Sequence, residues 1–358
     1  MAPEPFLATR TQRVFIGTIM AQGAAVLAMI GLVFQYVEEH VPFDTIRYKS
    51  VPMYLAVFAL AELFELLVAF DALRLRNIIQ LIGMLIFHAA LIVMSSLELI
   101  QTRNALLNTE GCAQDPTNYV QCSGPGTLIA KIRPFLIAVP CVLATAWIAM
   151  LFCIRALYFE FGWAIFHVVG ADIKARTMYQ YYQVIICLLK FDLFAYFGVE
   201  IQLLIVVLTS GTVDFAITIV SIPLALLAFI FCGYALRCEI KWMMSICLAM
   251  LLCVSALMVY KLYKYFKPYG DANNPFLTGR DTLTVFTVSG FLLIFATFCI
   301  GLRCLADFGK GLLDAKTHKH SSYTPLGTQL SDLFGKGNTP NRISSYTADV
   351  STTKILID

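Results

Sequence analysis

Eight separate apolar runs recur along the chain, at residues 14–34, 51–70, 78–97, 134–153, 184–208, 213–236, 242–260 and 283–303. A helix of about 20 residues rises about 30 Å, the thickness of a bilayer's hydrocarbon core. Backbone polar groups find no water at that depth, so a spanning run must satisfy them internally, as a helix does. The pattern predicts an all-α fold: a polytopic integral membrane helical bundle of about 8 transmembrane helices, filling residues 14–306. A short N-terminus, 1–13, precedes it. The tail, 307–358, is rich in Gly, Ser, Thr, Pro and Asn and is expected to be disordered. Composition agrees, at 59% hydrophobic and 14% charged, against about 25% charged in soluble domains. A formal charge of +3 gives no reason to expect nucleic acid as a partner. Membrane lipids are the partner this composition implies. The first run reads as a span rather than a cleaved signal peptide, because it exceeds a usual signal core and no small-x-small site follows it.

The fifth run departs from the others. It carries Lys190 and Asp192 in its first third, then Glu200 and Gln202. Charges at this depth are costly unless they are paired, hydrated or turned into a bundle. Lys190 and Asp192 lie two apart, pointing about 160° from each other on a regular helix, so each must meet a partner on another helix. Glu62 and Glu65, on one face of the second run, are candidates for Lys190, and His88 sits in the middle of the third run. One reading is structural pairing that fixes how the helices pack, at about 0.6–2 kcal/mol per contact. The other is that Lys190, Asp192, Glu200, Glu62 and His88 line a polar path for a small molecule, ion or lipid. Pro140 and Pro223 supply candidate helix breaks, but no sequence repeat relates the halves, as many transporters would show.

Catalysis has little support. There is no Gly-x-Ser-x-Gly, no His-Glu-x-x-His and no Gly-rich phosphate loop. His167, Asp172 and His88 have no metal-ligand spacing, and no cofactor or metal is expected. Most of the eleven cysteines lie inside apolar runs, where cysteine acts as a small hydrophobe.

Two cysteines do not. Cys112 and Cys122 stand in the polar connection 98–133. They can close a small disulfide loop in an oxidising compartment, or remain thiols. Eight spans put both termini on one side. Placing that side in the cytosol gives it 16 of the Lys and Arg residues against nine outside, as the positive-inside rule favours. It also puts the cysteine loop outside. The Lys261, Lys264 and Lys267 cluster falls on the outer side and disagrees; it reads as a snorkelling helix end or a lipid headgroup site. The mixed segment 155–178 reads as interfacial rather than as a further crossing. Pro134 is placed at the opening of the fourth helix.

The tail holds Tyr323-Thr324-Pro325-Leu326. A tyrosine followed at +3 by a bulky apolar residue is the kind of extended pattern that cytosolic sorting adaptors bind. Thr324 and Thr339, each before proline, are candidate phosphorylation sites that would change charge beside Tyr323. An inert tail is the alternative.

The order Val169-Gly170-Ala171-Asp172, then Met178-Tyr179-Gln180-Tyr181-Tyr182-Gln183, then Leu188-Leu189-Lys190-Phe191-Asp192 resembles an uncharacterised family of fungal multi-pass membrane proteins of the Golgi apparatus. The resemblance implies a Golgi membrane location and carries no catalytic or ligand residues. Together these features lead to the expectation of a secretory-pathway scaffold or trafficking component, with a transporter or binder of a small molecule, ion or lipid as the alternative.

Overall fold

The computed structural model describes residues 9–41, 48, 50–107, 112, 118–169, 173–207, 213–266 and 280–308. The expected tail therefore lies outside the described residues. So do Lys267 and the sorting and phosphorylation candidates Tyr323, Leu326, Thr324 and Thr339.

The described residues form eight helices and no strand. They are α1 (Arg10–His40), α2 (Ser50–Leu75), α3 (Ile78–Leu106) and α4 (Leu128–Val169), then α5 (Ile173–Val207), α6 (Val213–Cys238), α7 (Lys241–Phe266) and α8 (Arg280–Asp307). All except α5 are long and apolar enough to cross a membrane by length and composition. α5 has 35 residues and carries Lys190, Asp192 and Glu200. It packs against α2, α3, α6 and α8, and its side chains reach from Asp71 near the end of α2 to Lys261 in the last turns of α7. A helix flanked over that depth by spans is itself a crossing, and its polar groups face protein rather than lipid.

The packing divides into two rings of four. α1 packs on α2, α2 on α3, α3 on α4, and α4 closes on α1; α5 to α8 repeat the circuit, with α8 closing on α5. Both rings join their second and third helices by a two-residue turn whose first residue is left-handed without being glycine, Arg76 at φ 50° and Glu239 at φ 54°. At the first of these turns the Arg76 N–H bonds Leu73 O and the Asn77 N–H bonds Ala72 O. That Schellman closure satisfies the last carbonyls of α2. Asn77 then caps α3 by accepting from Ile79 and Gln80 N–H. The halves thus share a helix circuit that no repeat in the sequence announces.

Buried positions step by three and four residues. On α3 they include Ile78, Leu81, Met84, His88, Leu91, Ser95, Glu98, Thr102 and Ala105. On α8 they include Leu283, Thr287, Gly290, Ile294, Thr297, Gly301 and Cys304. This 3.5-residue seam is the pattern of left-handed bundle packing, with small residues letting membrane helices approach. Gly301 shows how closely: a Cβ there would lie 2.7 Å from Leu248 Cδ2.

One local expectation needs correction. Pro134 does not open the fourth helix; α4 begins at Leu128 and holds Pro134 and Pro140 inside. Leu128 and Ile132 are fully buried, and that apolar burial extends the helix a turn upstream of the proline. The mixed segment 155–178 supplies the end of α4 and the start of α5.

Candidate functional site

The polar side chains singled out in the sequence do not meet in one place. They are divided among a junction inside the first ring, a clasp between the rings, and further groups inside the second ring.

Inside the first ring, Gln22 of α1 donates from Nε2 to Glu62 Oε2 at 3.0 Å and Glu65 Oε2 at 3.1 Å, both on α2. Glu65 Oε1 lies 2.6 Å from His88 Nδ1 on α3. His88 Nε2 lies 3.0 Å from the Leu143 carbonyl of α4. A carbonyl only accepts, so Nε2 carries a hydrogen, and Nδ1 shares the remaining proton of the pair with the Glu65 carboxyl. One buried junction therefore ties all four helices. Trp147 Nε1 of α4 returns a bond to Leu85 O of α3 at 3.0 Å. Gly23 lets Glu62 lie close to α1, since a Cβ there would meet Glu62 Oε2 at 3.3 Å.

Lys190 corrects the sequence expectation. Its partners are not Glu62 or Glu65 but Asp71 of α2 and Gln80 of α3, with Gln80 Oε1 at 2.8 Å. Gln80 Nε2 in turn donates to Asp71 Oδ2 at 3.1 Å and Val68 O at 2.9 Å. The Lys190 and Asp71 side chains remain 28% and 38% exposed, near the α2–α3 turn. Lys190 sits too far towards that turn to reach the first-ring junction. What it makes is a clasp between the two rings. Beside it, Phe64 and Phe87 of the first ring pack on Phe191 and Phe194 of the second, with centroids 4.8–5.7 Å apart. Gly83 admits this contact, because a Cβ would lie 3.0 Å from Phe191.

Inside the second ring, Asp192 accepts from Thr297 Oγ1 of α8 at 2.5 Å. Its other oxygen has no partner among the described residues. Glu200 pairs with Lys261 of α7, whose Nζ also lies 5.4 Å from the centre of the Tyr196 ring. Lys261 is therefore no snorkelling surface lysine; it is buried. Gln202 is fully buried, and neither amide atom has a partner among the described residues.

Two cavities lie elsewhere. A cleft of about 370 Å³ between α6 and α7 is walled by apolar side chains such as Leu224, Ala228 and Met250. A cavity of about 20 Å³ between the rings is lined in part by Tyr54, Glu98, Gln101, Thr282 and Phe286. Neither is lined by Lys190, Asp192, Glu200, Glu62, Glu65 or His88. Among the described residues no group of three or more His, Cys, Asp or Glu could hold a metal ion.

Cys112 and Cys122 are joined by a disulfide, with Cα atoms 5.1 Å apart. In the isolated protein both thiols should resist alkylation until a reductant is added, while denaturant alone exposes cysteines of the helices. Equal labelling of Cys112 and Cys122 without reductant would contradict the bond.

Comparison with known proteins adds a relative. The chain is 28% identical over 276 residues to a UPF0658 Golgi apparatus membrane protein of Schizosaccharomyces pombe, covering 74% of this chain and 77% of the relative. The chain resembles that uncharacterised fungal family of multi-pass Golgi membrane proteins. No protein-family model matches it, and no solved structure does.

Several residues of these sites gave no signal in the sequence reading. Gln22, Gln80 and Thr297 are neutral residues in apolar runs, and Asp71 reads as the end of a span. Glu98 falls just past the apolar window that defined its span, and Lys261, just past its own, reads only as part of a surface lysine cluster. The 3.5-residue seam is the signal that finds them, since Glu98 continues the α3 positions of His88, Leu91 and Ser95, and Lys261 continues those of Val254 and Met258 on α7.

Proposed function

We propose that this integral membrane protein resides in the Golgi apparatus membrane with both termini in the cytosol, and acts as a scaffold or trafficking component. The observation that carries the reading is the dispersal of the intramembrane charges. Lys190, Glu65, His88 and Glu200 are each answered by a side chain of a neighbouring helix, which is what packing requires and a continuous transport path does not. The name of the S. pombe relative supports the compartment. Burial of Lys261 against Glu200 supports the orientation, because it takes one lysine from the nine counted outside and leaves eight against 16.

Cytosolic sorting adaptors are the proposed partners, docking on Tyr323 and Leu326 in extended form, with Thr324 and Thr339 as modulating phosphorylation sites. Imaging of a C-terminally tagged chain tests this. Tyr323→Ala should move the steady-state signal out of the Golgi, and antibody should reach the tag when only the plasma membrane is permeabilised. An unchanged distribution rejects the signal, and a tag protected from antibody rejects the orientation.

A second reading, a transporter or binder of an ion, small molecule or lipid, is favoured by one observation. Between the two rings lies a cavity lined by the buried residue Glu98, whose carboxyl has no partner among the described residues.

A further inference from the structure

We propose that Glu98, Gln101, Tyr54 and Thr282 form a site for one small monovalent cation between the two helix rings. The inference deepens the second reading above and names its ligand. Glu98 is 5% exposed, lines the cavity of about 20 Å³, and makes no hydrogen bond or ion pair with any described residue. A lone carboxylate withdrawn from water costs several kcal/mol unless a positive charge answers it. Asp71, Glu65 and Glu200 each have such an answer in a basic side chain. Glu98 has none among the described residues, and the space beside it exceeds the roughly 10–15 Å³ that one water-sized species needs.

The donor set selects the ligand. Glu98 offers a carboxylate, Gln101 an amide oxygen, and Tyr54 and Thr282 hydroxyl oxygens. Thr282 Oγ1, on the second ring, already bonds Gln101 Oε1 on the first at 3.2 Å, so donors from both rings are held together. Oxygen donors suit hard cations; neither histidine nor cysteine lines the cavity, and the Met94 thioether is its one soft donor against four oxygen-bearing side chains. One carboxylate balances one positive charge; a divalent ion would leave an excess charge in low dielectric. The remaining walls, Val57, Phe58, Ala61, Leu91, Met94 and Phe286, exclude the hydration shell. The site therefore takes a dehydrated ion of sodium size.

The test uses the full chain in lipid nanodiscs, with its thermal unfolding midpoint followed as sodium chloride replaces choline chloride at constant ionic strength. The midpoint should rise with sodium and keep rising logarithmically past the dissociation constant, as ligand linkage requires. Glu98→Gln should abolish the rise. Thr282→Val, which keeps the carboxylate and removes one oxygen, should shift the sodium dependence to higher concentration by about tenfold or more. Equal midpoints in sodium and choline overturn the site, as does a full sodium response in Glu98→Gln. A midpoint that follows pH and ignores sodium means that a proton neutralises Glu98, and that too overturns it. Should Glu98→Gln fail to fold, the sodium and choline comparison on the unaltered chain decides alone. Sodium binding without sodium flux in proteoliposomes rejects transport and keeps the site; absence of binding rejects the site whatever the flux.

Discussion

Lys261→Met is expected to lower the unfolding free energy by about 3–5 kcal/mol, because it leaves Glu200 charged, buried and without its partner. Glu200 is fully buried and Lys261 nearly so, and the ammonium also lies over the Tyr196 ring. Adding Glu200→Leu to Lys261→Met should recover most of the loss, since a buried ion pair replaced by apolar side chains of similar size is often neutral or stabilising. Lys190→Met supplies the contrast. Its pair with Asp71 is about a third exposed, so solvent screens it and the expected loss is only about 0–1 kcal/mol. Unfolding midpoints of the three variants in one detergent or nanodisc check the order. Equal losses for Lys261→Met and Lys190→Met would show that burial does not separate the two lysines.

The helices were legible because each apolar run carries its own instruction. Twenty apolar residues exclude water from their backbone wherever they sit in the chain, so no knowledge of neighbours is needed to predict a helix. α5 was legible for the complementary reason. A run that keeps Lys190, Asp192 and Glu200 must turn them towards protein, and the helix does lie among four others.

The partners were not legible, because they depend on which helices touch. Hydropathy says nothing of the circuit in which α4 closes on α1 and α8 on α5. Lys190 was therefore offered the carboxylates of its apparent depth, Glu62 and Glu65, when the ring contact places Asp71 and Gln80 against it. Glu98 gives no signal, and Lys261 reads as a surface lysine, for a related reason. A charge ends an apolar window, yet both continue the buried seams of α3 and α7. Hydropathy detects the membrane; the three-four spacing detects the neighbour. The Cys112–Cys122 pair needed neither, since two cysteines in one polar loop stand apart from those inside the helices.

His88→Ala should be the most damaging change in the first ring, also about 3–5 kcal/mol, because it breaks the junction at its centre. The imidazole touches both Glu65 of α2 and the Leu143 carbonyl of α4. Truncation strands Glu65 Oε1, leaves the carbonyl without its side-chain donor and opens a cavity, and these costs fall on a site with no exposed surface. His88→Gln keeps an N–H that can serve one of the two acceptors, so its loss should be roughly half. Glu62→Gln should cost less than about 1 kcal/mol, because the amide oxygen still accepts from Gln22 and Glu62 Oε1 has no partner among the described residues to lose. The same unfolding measurement orders the three. A loss for Glu62→Gln as large as that for His88→Ala would mean that Glu62 Oε1 binds something the four helices do not supply, and the junction would then be a site rather than a tie.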